Sequence, residues 1–118
     1  MGTFTASITI SNLSGGQSID LEALVDTGAA YTALPTNILA RLGVQPEDVR
    51  RFELADNKIV EYPVGQARIR LEENQLIVLV VFAPEDTAPL LGATTLEIFG
   101  LGVDPLGQKL VPVTALLK

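Results

Sequence analysis

One stretch in the first third of the chain constrains the fold more than any other. Residues 23–35 read Ala-Leu-Val-Asp-Thr-Gly-Ala-Ala-Tyr-Thr-Ala-Leu-Pro, so an apolar strand leads into a single carboxylate, Asp26, and small residues lead away from it. Thr27 and Gly28 suit a tight turn, and an ordinary surface turn is the simplest interpretation of the triplet. The apolar residues on both sides instead favour an acid that is shielded from water, because a surface turn does not need them. We therefore interpret Asp26 as a candidate active-site residue.

The composition narrows the chemistry that this acid could perform. The 118 residues fit one domain, residues 1–118, with a core of its own but without room for two lobes. The chain has no Cys and no His, which excludes disulfides, thiolate metal sites and catalysis by a Ser-His or Cys-His pair. Acid–base chemistry must therefore fall to carboxylates, Lys or Tyr. The net charge of −6 argues against nucleic acid or an anionic membrane as a partner.

Neither a metal nor another cofactor is expected. Glu85 and Asp86 lie in a polar loop and could suggest ligands, but the chain lacks His and any recognisable ligand spacing. The N-terminus has neither the basic region nor the continuous apolar core of a signal peptide. The longest apolar run, residues 76–83, is too short to cross a bilayer as a helix. We expect a soluble, cytoplasmic protein.

Short apolar segments separated by turns predict a mostly β fold with two short helices. Residues 45–48 are interpreted as a loop or one helical turn, and residues 76–82 are typical of a strand covered on both faces. Thr94 is the expected cap of the second helix, which Gly100 would close. The predicted strands are 4–10, 19–25, 31–34, 51–55, 58–62, 67–71, 76–82 and 111–117, the predicted helices are 36–43 and 95–99, and residues 103–110 form a last hairpin.

Two segments of the chain resemble the retropepsin-like aspartic proteases, the single-lobe relatives of the retroviral proteases. The first is Leu24-Val25-Asp26-Thr27-Gly28-Ala29. The second, residues 88–100, is similar to the family's apolar-apolar-Gly strand and the short helix that follows it. Two motifs in the right order are far more specific than one triplet. The resemblance implies a closed, barrel-like β fold with one or two short helices that is active as a two-fold homodimer.

The resemblance also implies roles for individual residues. Asp26 would be the catalytic acid or base, and a water held between Asp26 of each subunit would be the nucleophile. A hairpin over residues 52–62 stands where the family has its flap, although an ordinary surface hairpin explains the pattern equally well. Support for the active-site loop would come from Thr27, Gly28, Ala29, Leu90, Leu91 and Gly92, and the flap tip over the substrate would be Asp56, Asn57 and Lys58.

Hydrolysis of a peptide bond by carboxylates needs two of them, and this chain has one Asp-Thr-Gly. A second copy of the chain across a two-fold axis is the best source of the missing acid. The expected partners are therefore a second copy and an extended or unfolded peptide. The terminal strands, Thr3 to Ile10 and Val111 to Leu117, are candidates for the dimer sheet, because a bare apolar edge invites aggregation.

Two alternatives stay open. The first is a non-catalytic dimerisation or peptide-binding module on the same fold, and the second is a generic β domain that does not dimerise. The polar flap tip favours the first alternative, as do Ala30 and Ala93, which stand where retroviral enzymes carry an acid and an Arg that contact the substrate backbone. An intact Asp-Thr-Gly favours the endopeptidase, because a scaffold has no need of a desolvated acid.

Overall fold

The computed structural model describes residues 4–117. Over that range the chain forms nine strands and two helices, in this order: β1 Thr5–Ser11, β2 Ser18–Val25, β3 Thr32–Pro35, α1 Thr36–Arg41, β4 Pro46–Glu53, β5 Ile59–Leu71, β6 Asn74–Ala83, β7 Leu90–Leu91, α2 Ala93–Ile98, β8 Leu101–Asp104 and β9 Lys109–Pro112. No helix in this part of the chain is long and apolar enough to cross a membrane.

Six of the strands close into a ring. The sheet runs in the order β1-β2-β7-β3-β6-β5, and β5 pairs back onto β1 through Ile8↔Leu71 and Ile10↔Ile69. Closure gives these strands a partner on each side. β4 continues the sheet outward from β5, and β8 and β9 form a separate two-stranded sheet. The expected mostly β, closed, barrel-like fold is confirmed.

Aliphatic side chains fill the ring. Alternate residues of each strand point inward, as the two-residue period of a strand requires. The helices add Leu39 and Leu96 to the same cluster. The fully buried side chains of the ring include Ile8 and Ile10 from β1, Leu34 from β3, Ile69 and Leu71 from β5, Val80 from β6 and Leu91 from β7. The strands that lead to Asp26 are therefore anchored in a closely packed frame.

The region before the predicted flap differs from the prediction. Residues 46–48 belong to β4 and are not a loop or a helical turn, because Pro46 pairs with Gly65 ahead of a bulge that precedes Asp48. A proline needs no ladder donor at the outer end of an edge strand, so it does not stop this one. The predicted strands 58–62 and 67–71 are parts of the 13-residue strand β5, which continues through Pro63.

The terminal segments also differ from the prediction. β9 ends at Pro112 and residues 113–117 form no strand, so the expected strand over Val111 to Leu117 is wrong beyond Pro112. Apolar character alone cannot make a strand where no neighbouring ladder continues. The expected bare edge of Thr3 to Ile10 is wrong over Ile8 to Ile10, which pair with both β2 and β5. Thr3 lies outside the described residues.

β6 matches its prediction only in its second half. The strand is covered from Val78 onward, whereas Leu76 and Ile77 are 39% and 43% exposed. Those two residues lie in the first half of β6, where they pair with Ile69 and Arg68 of β5, and it is Ile69 that is buried there. The length of an apolar run therefore overestimates the length that is buried.

Candidate active site

β2 carries Asp26 to the end of the barrel. Val25 is buried, and the Asp26 N–H donates to the carbonyl of Leu91 at 3.1 Å. One residue earlier, the Leu24 N–H donates to the carbonyl of Pro89 at 2.9 Å, in line with the parallel pairing of β2 and β7. The short strand β7 thus fixes the backbone at the point where the chain leaves β2.

The Asp-Thr-Gly loop turns back on its own carboxylate. The Gly28 N–H donates to Asp26 Oδ1 at 2.9 Å, and the Ala29 N–H donates to the Asp26 carbonyl at 3.2 Å. A Cβ on residue 28 would lie 3.1 Å from that Oδ1, so glycine allows the close approach. Asp26 is half-buried, while Thr27 and Gly28 are exposed. In one chain, the expected shielding from water is only partial.

α2 lies behind the loop and is held by it. The Ala93 N–H donates to the Ala29 carbonyl at 2.8 Å, and the Thr94 N–H donates to the Ala30 carbonyl at 2.9 Å. Helix N–H groups that usually need a cap are therefore satisfied by the loop backbone. This corrects the predicted cap, because the N-cap is Gly92 and Thr94 lies inside the helix.

Gly92 lies against the backbone of Tyr31, which follows the first motif. A Cβ on this residue would lie 2.4 Å from the carbonyl carbon and oxygen of Tyr31, a distance that no side chain can occupy. Its N–H donates to Thr32 Oγ1 at 3.1 Å, and Thr32 Oγ1 lies 2.6 Å from Thr95 Oγ1. Both threonines are fully buried. The sequence reasoning missed this pair, for which the only signal is a hydroxyl residue in each of two apolar segments.

A groove of about 700 Å³ separates the loop from the β4–β5 hairpin. On one side it is lined by residues 28–31 of the loop, and on the other by β4 and β5. The Tyr31 and Phe52 rings meet edge-on with their centroids 6.0 Å apart. The centroid of the Tyr62 ring lies 6.3 Å from that of Phe52. Arg50 Nη1 donates to the Tyr31 hydroxyl at 3.4 Å. The sequence reasoning did not single out these groove residues, which come together only when the hairpin folds over the loop.

The hairpin turns where the sequence predicts. The Asn57 N–H donates to the Leu54 carbonyl at 2.9 Å, and the Lys58 N–H donates to Asp56 Oδ1 at 3.0 Å. Asn57 has a φ of 69°, a left-handed conformation that Asn tolerates better than most residues. The three tip residues are exposed, and Leu54 is the turn residue that borders the groove. Coverage of a substrate by the tip stays a prediction.

The acids outside the loop do not form a second centre that could hold an ion. Among residues 4–117, no group of three or more acidic residues is placed to bind a metal. Glu53 is the one carboxylate among the residues that line the groove. Asp104, which is half-buried, accepts the Leu106 N–H in the β8–β9 turn. Among the described residues, Asp26 of the Asp-Thr-Gly loop therefore remains the candidate acid.

A closed β barrel, an Asp-Thr-Gly loop and a helix tied to the back of that loop together define the fold of the retropepsin-like aspartic proteases. A sequence model of the family described as gag-polyprotein putative aspartyl protease matches residues 15–97. The chain belongs to this family.

Solved structures agree on the fold. The solution structure of the simian foamy virus (mac) protease is 17% identical with a TM-score of 0.57, and the match covers 81% of this chain and 94% of that one. The EIAV protease, solved in complex with the inhibitor HBY-793, is 22% identical with a TM-score of 0.58, and the match covers 93% of each chain. No curated protein matches the sequence.

Proposed function

We propose that this chain is a homodimeric aspartic endopeptidase that hydrolyses peptide bonds in extended or unfolded segments. The observation that carries the proposal is the position of Asp26. Its backbone is fixed by Leu91 and its Oδ1 accepts the Gly28 N–H. The residues that follow it line a groove of about 700 Å³. Membership in an aspartyl protease family supports the same reaction.

The proposed mechanism uses Asp26 from each of two chains. Two carboxylates about 3 Å apart cannot both ionise, so they share one proton. The ionised carboxylate takes a proton from the water between them, and the water oxygen bonds to the scissile carbonyl carbon. The protonated carboxylate donates its proton to the carbonyl oxygen. When the C–N bond breaks, the leaving nitrogen receives the proton that the first carboxylate took from water, and one hydroxyl of the tetrahedral intermediate gives its proton to the other carboxylate. The products are a carboxylic acid and an amine, and the dyad again holds one proton.

The exposure of the loop supports the need for a second chain. Thr27 is exposed and Asp26 is half-buried in one chain, so an identical loop facing this one would remove both from water. In the proposal, Thr27 hydrogen-bonds across the two-fold axis. Ala29 and Leu91 support the loop through their carbonyls, which already accept the N–H groups of Ala93 and Asp26.

The remaining site residues complete the proposal. Leu90 and Gly92 hold β7 and α2 against the loop, and Asp56, Asn57 and Lys58 cover the bound peptide as a flap. Ala30 and Ala93 have only methyl side chains, so polar side-chain contacts with the substrate must come from other residues. A cytoplasmic location stays a prediction.

The test is cleavage of an unfolded protein from about pH 3 to about pH 8, where a carboxylate dyad can share a proton. Wild type is compared with Asp26→Asn and with Asp20→Asn, an exposed Asp that accepts only the Thr9 hydroxyl among side chains of the described residues. Light scattering checks the oligomeric state of each protein. We expect wild type and Asp20→Asn to cut as dimers, and Asp26→Asn to dimerise without cutting.

Two other results would contradict the proposal. Dimers that never cut but still bind peptide would indicate a non-catalytic binding module on the same fold. A wild-type protein that stays monomeric at high concentration would remove the second carboxylate, and with it the mechanism.

A further inference from the structure

We propose that the groove beside Asp26 selects extended peptides that carry one acidic side chain near the scissile bond, and that Arg50 is the residue that recognises this carboxylate. The inference rests on the proposed function, because it names the substrate class of the same site. It comes from the position of Arg50, from its weak contacts and from the charges around it.

Arg50 faces the groove from β4. Residues two apart on a strand share a face, so Arg50 lies on the same face as Phe52, whose ring meets Tyr31. Across the β4–β5 ladder Arg50 is directly opposite Tyr62, another residue of the groove lining. Arg50 Nη1 contacts the Tyr31 hydroxyl, and Phe52 and Tyr62 line the same groove, so aromatic rings are available to cover the apolar stem of a bound side chain.

The contacts of Arg50 leave most of its donors available. Its Nε lies 3.9 Å from Asp48 Oδ2, and its Nη1 lies 3.4 Å from the Tyr31 hydroxyl. Charge-assisted hydrogen bonds are usually about 2.7–2.9 Å long, so neither contact is a strong one. The Arg50 side chain is 46% exposed, and a guanidinium has five N–H donors arranged in a planar fork. A carboxylate in the groove could accept two of them at once.

Neighbouring charges do not duplicate this role. Arg51 and Glu53 also border the groove, but their positions in β4 alternate with that of Arg50, and Arg51 is directly opposite Glu61 in the ladder. Arg51 therefore has acidic neighbours at Glu61 and Glu53, whereas Arg50 is directly opposite Tyr62. Asp48 lies on the Arg50 face, but it is 65% exposed, and an exposed ion pair contributes only about 0–1 kcal/mol. A substrate carboxylate that is covered by the aromatic rings can compete with it.

The net charge of the chain limits what kind of acidic substrate is favoured. At −6 the protein repels anions at long range, so an acidic run gains nothing on approach. Selection must come from close contact with one guanidinium. Arg50 and Tyr31 line the groove, whereas Asp26 is not among its lining residues, so we place the acidic residue at a position that flanks the scissile bond.

The experiment compares peptides that are blocked at both ends and differ by a single Glu or Gln, scanned along the positions that flank the cut. Assays are run at low ionic strength and near pH 6, where a peptide Glu with a pKa of about 4.3 is ionised. At one position we expect kcat/KM for the Glu peptide to exceed that for the Gln peptide by about five- to tenfold, because a half-exposed charged contact is of that strength. Added salt should lower the ratio.

Variants assign the preference to one side chain. Arg50→Gln should bring the Glu-to-Gln ratio close to one, and Arg50→Glu should instead favour a Lys peptide over the Gln peptide. Arg41→Gln serves as the matched control, because Arg41 lies in the last turn of α1 and does not line the groove. The control should keep the wild-type ratio. A ratio that survives Arg50→Gln would overturn the inference.

A binding measurement distinguishes a failure of this inference from a failure of the proposed reaction. The same peptides are titrated against the Asp26→Asn protein by fluorescence anisotropy, where Glu should again bind more tightly than Gln. Cleavage without a Glu preference would overturn the inference and leave the endopeptidase intact. Glu-selective binding with no cleavage by wild type would support the role of Arg50 and would overturn the proposed endopeptidase activity. Peptides with an unblocked C-terminus are added for comparison, and a gain seen only with that carboxylate, and not with a Glu side chain, would also overturn the inference.

Discussion

Two buried hydroxyl groups lie behind the Asp-Thr-Gly loop and hold it in place. Thr32 Oγ1 accepts the Gly92 N–H and lies 2.6 Å from Thr95 Oγ1, and both residues are at most 1% exposed. Removing one hydroxyl leaves the other groups of this network without a partner in an apolar interior. The cost of an unsatisfied buried donor is greater than the gain from an ordinary hydrogen bond.

Thr32→Val should therefore destabilise the protein by about 2–3 kcal/mol, because it leaves both the Gly92 N–H and the Thr95 hydroxyl unpaired. Urea unfolding measures the change. Thr5→Val is the matched control, since Thr5 is exposed and donates to Glu22 at the surface, and it should change stability by at most about 0.5 kcal/mol. In the double variant with Thr95→Val, the two costs should not add, because they remove one shared network. Strict additivity would contradict this account.

At the same scale, the sequence identified Asp26 and its neighbours but not the residues that support or face them. An Asp-Thr-Gly between apolar segments is a local pattern, so its loop can be read directly from the chain. Arg50 is 19 residues from the Tyr31 hydroxyl that it contacts, and Thr95 is 63 residues from Thr32. Contacts of that kind depend on strand pairing and have no local signature.

Among the secondary-structure elements, the β4–β5 hairpin lies between the candidate site and the solvent. Its turn is stabilised by two backbone hydrogen bonds between Leu54 and the residues Asn57 and Lys58, and it needs a left-handed residue at Asn57. Asp56, Asn57 and Lys58 at the tip are all exposed, so burial contributes little to holding them in place. Local turn chemistry therefore sets how well this element is ordered.

Asn57→Val should loosen the hairpin tip, because a β-branched residue is strongly disfavoured at a φ of 69°. Hydrogen exchange of the Leu54 amide, which donates to Lys58, reports on the turn. We expect about fivefold or faster exchange, equivalent to about 1 kcal/mol of local destabilisation. Asn57→Gly is the control and should leave exchange close to wild type, since glycine adopts this conformation freely. Equal exchange in both variants would show that the turn is held by something else.

For the whole molecule, the proposed active site exists only when two chains meet. Leu116 and Leu117 are 79% and 97% exposed in one chain, and apolar side chains that open to solvent are typical of interaction surfaces. We expect specific activity to fall on dilution below the dimer Kd, because one Asp26 cannot form the shared dyad.

Replacing Leu116 and Leu117 together by Ser should raise that Kd, as measured by sedimentation. Leu13→Ser is the control. Leu13 is 44% exposed but precedes β2, so the eight residues of that strand place it about 25 Å from Asp26. Activity per chain that stays constant on dilution would contradict the two-chain site. A Kd that changes only in the Leu13 variant would place the interface elsewhere.

The sequence by itself determined the mostly β class, most strand positions, the hairpin turn and the candidate acid, because side-chain period, turn residues and a contiguous triplet are local properties. It failed where the outcome depended on a neighbour. β4 begins at Pro46 because Gly65 pairs with it, residues 113–117 form no strand because no ladder continues there, and Thr94 is not a cap because the loop carbonyls already accept the helix N–H groups. Only the tertiary structure decided the groove, in which Arg50 and Tyr31 meet after the ring of strands has closed.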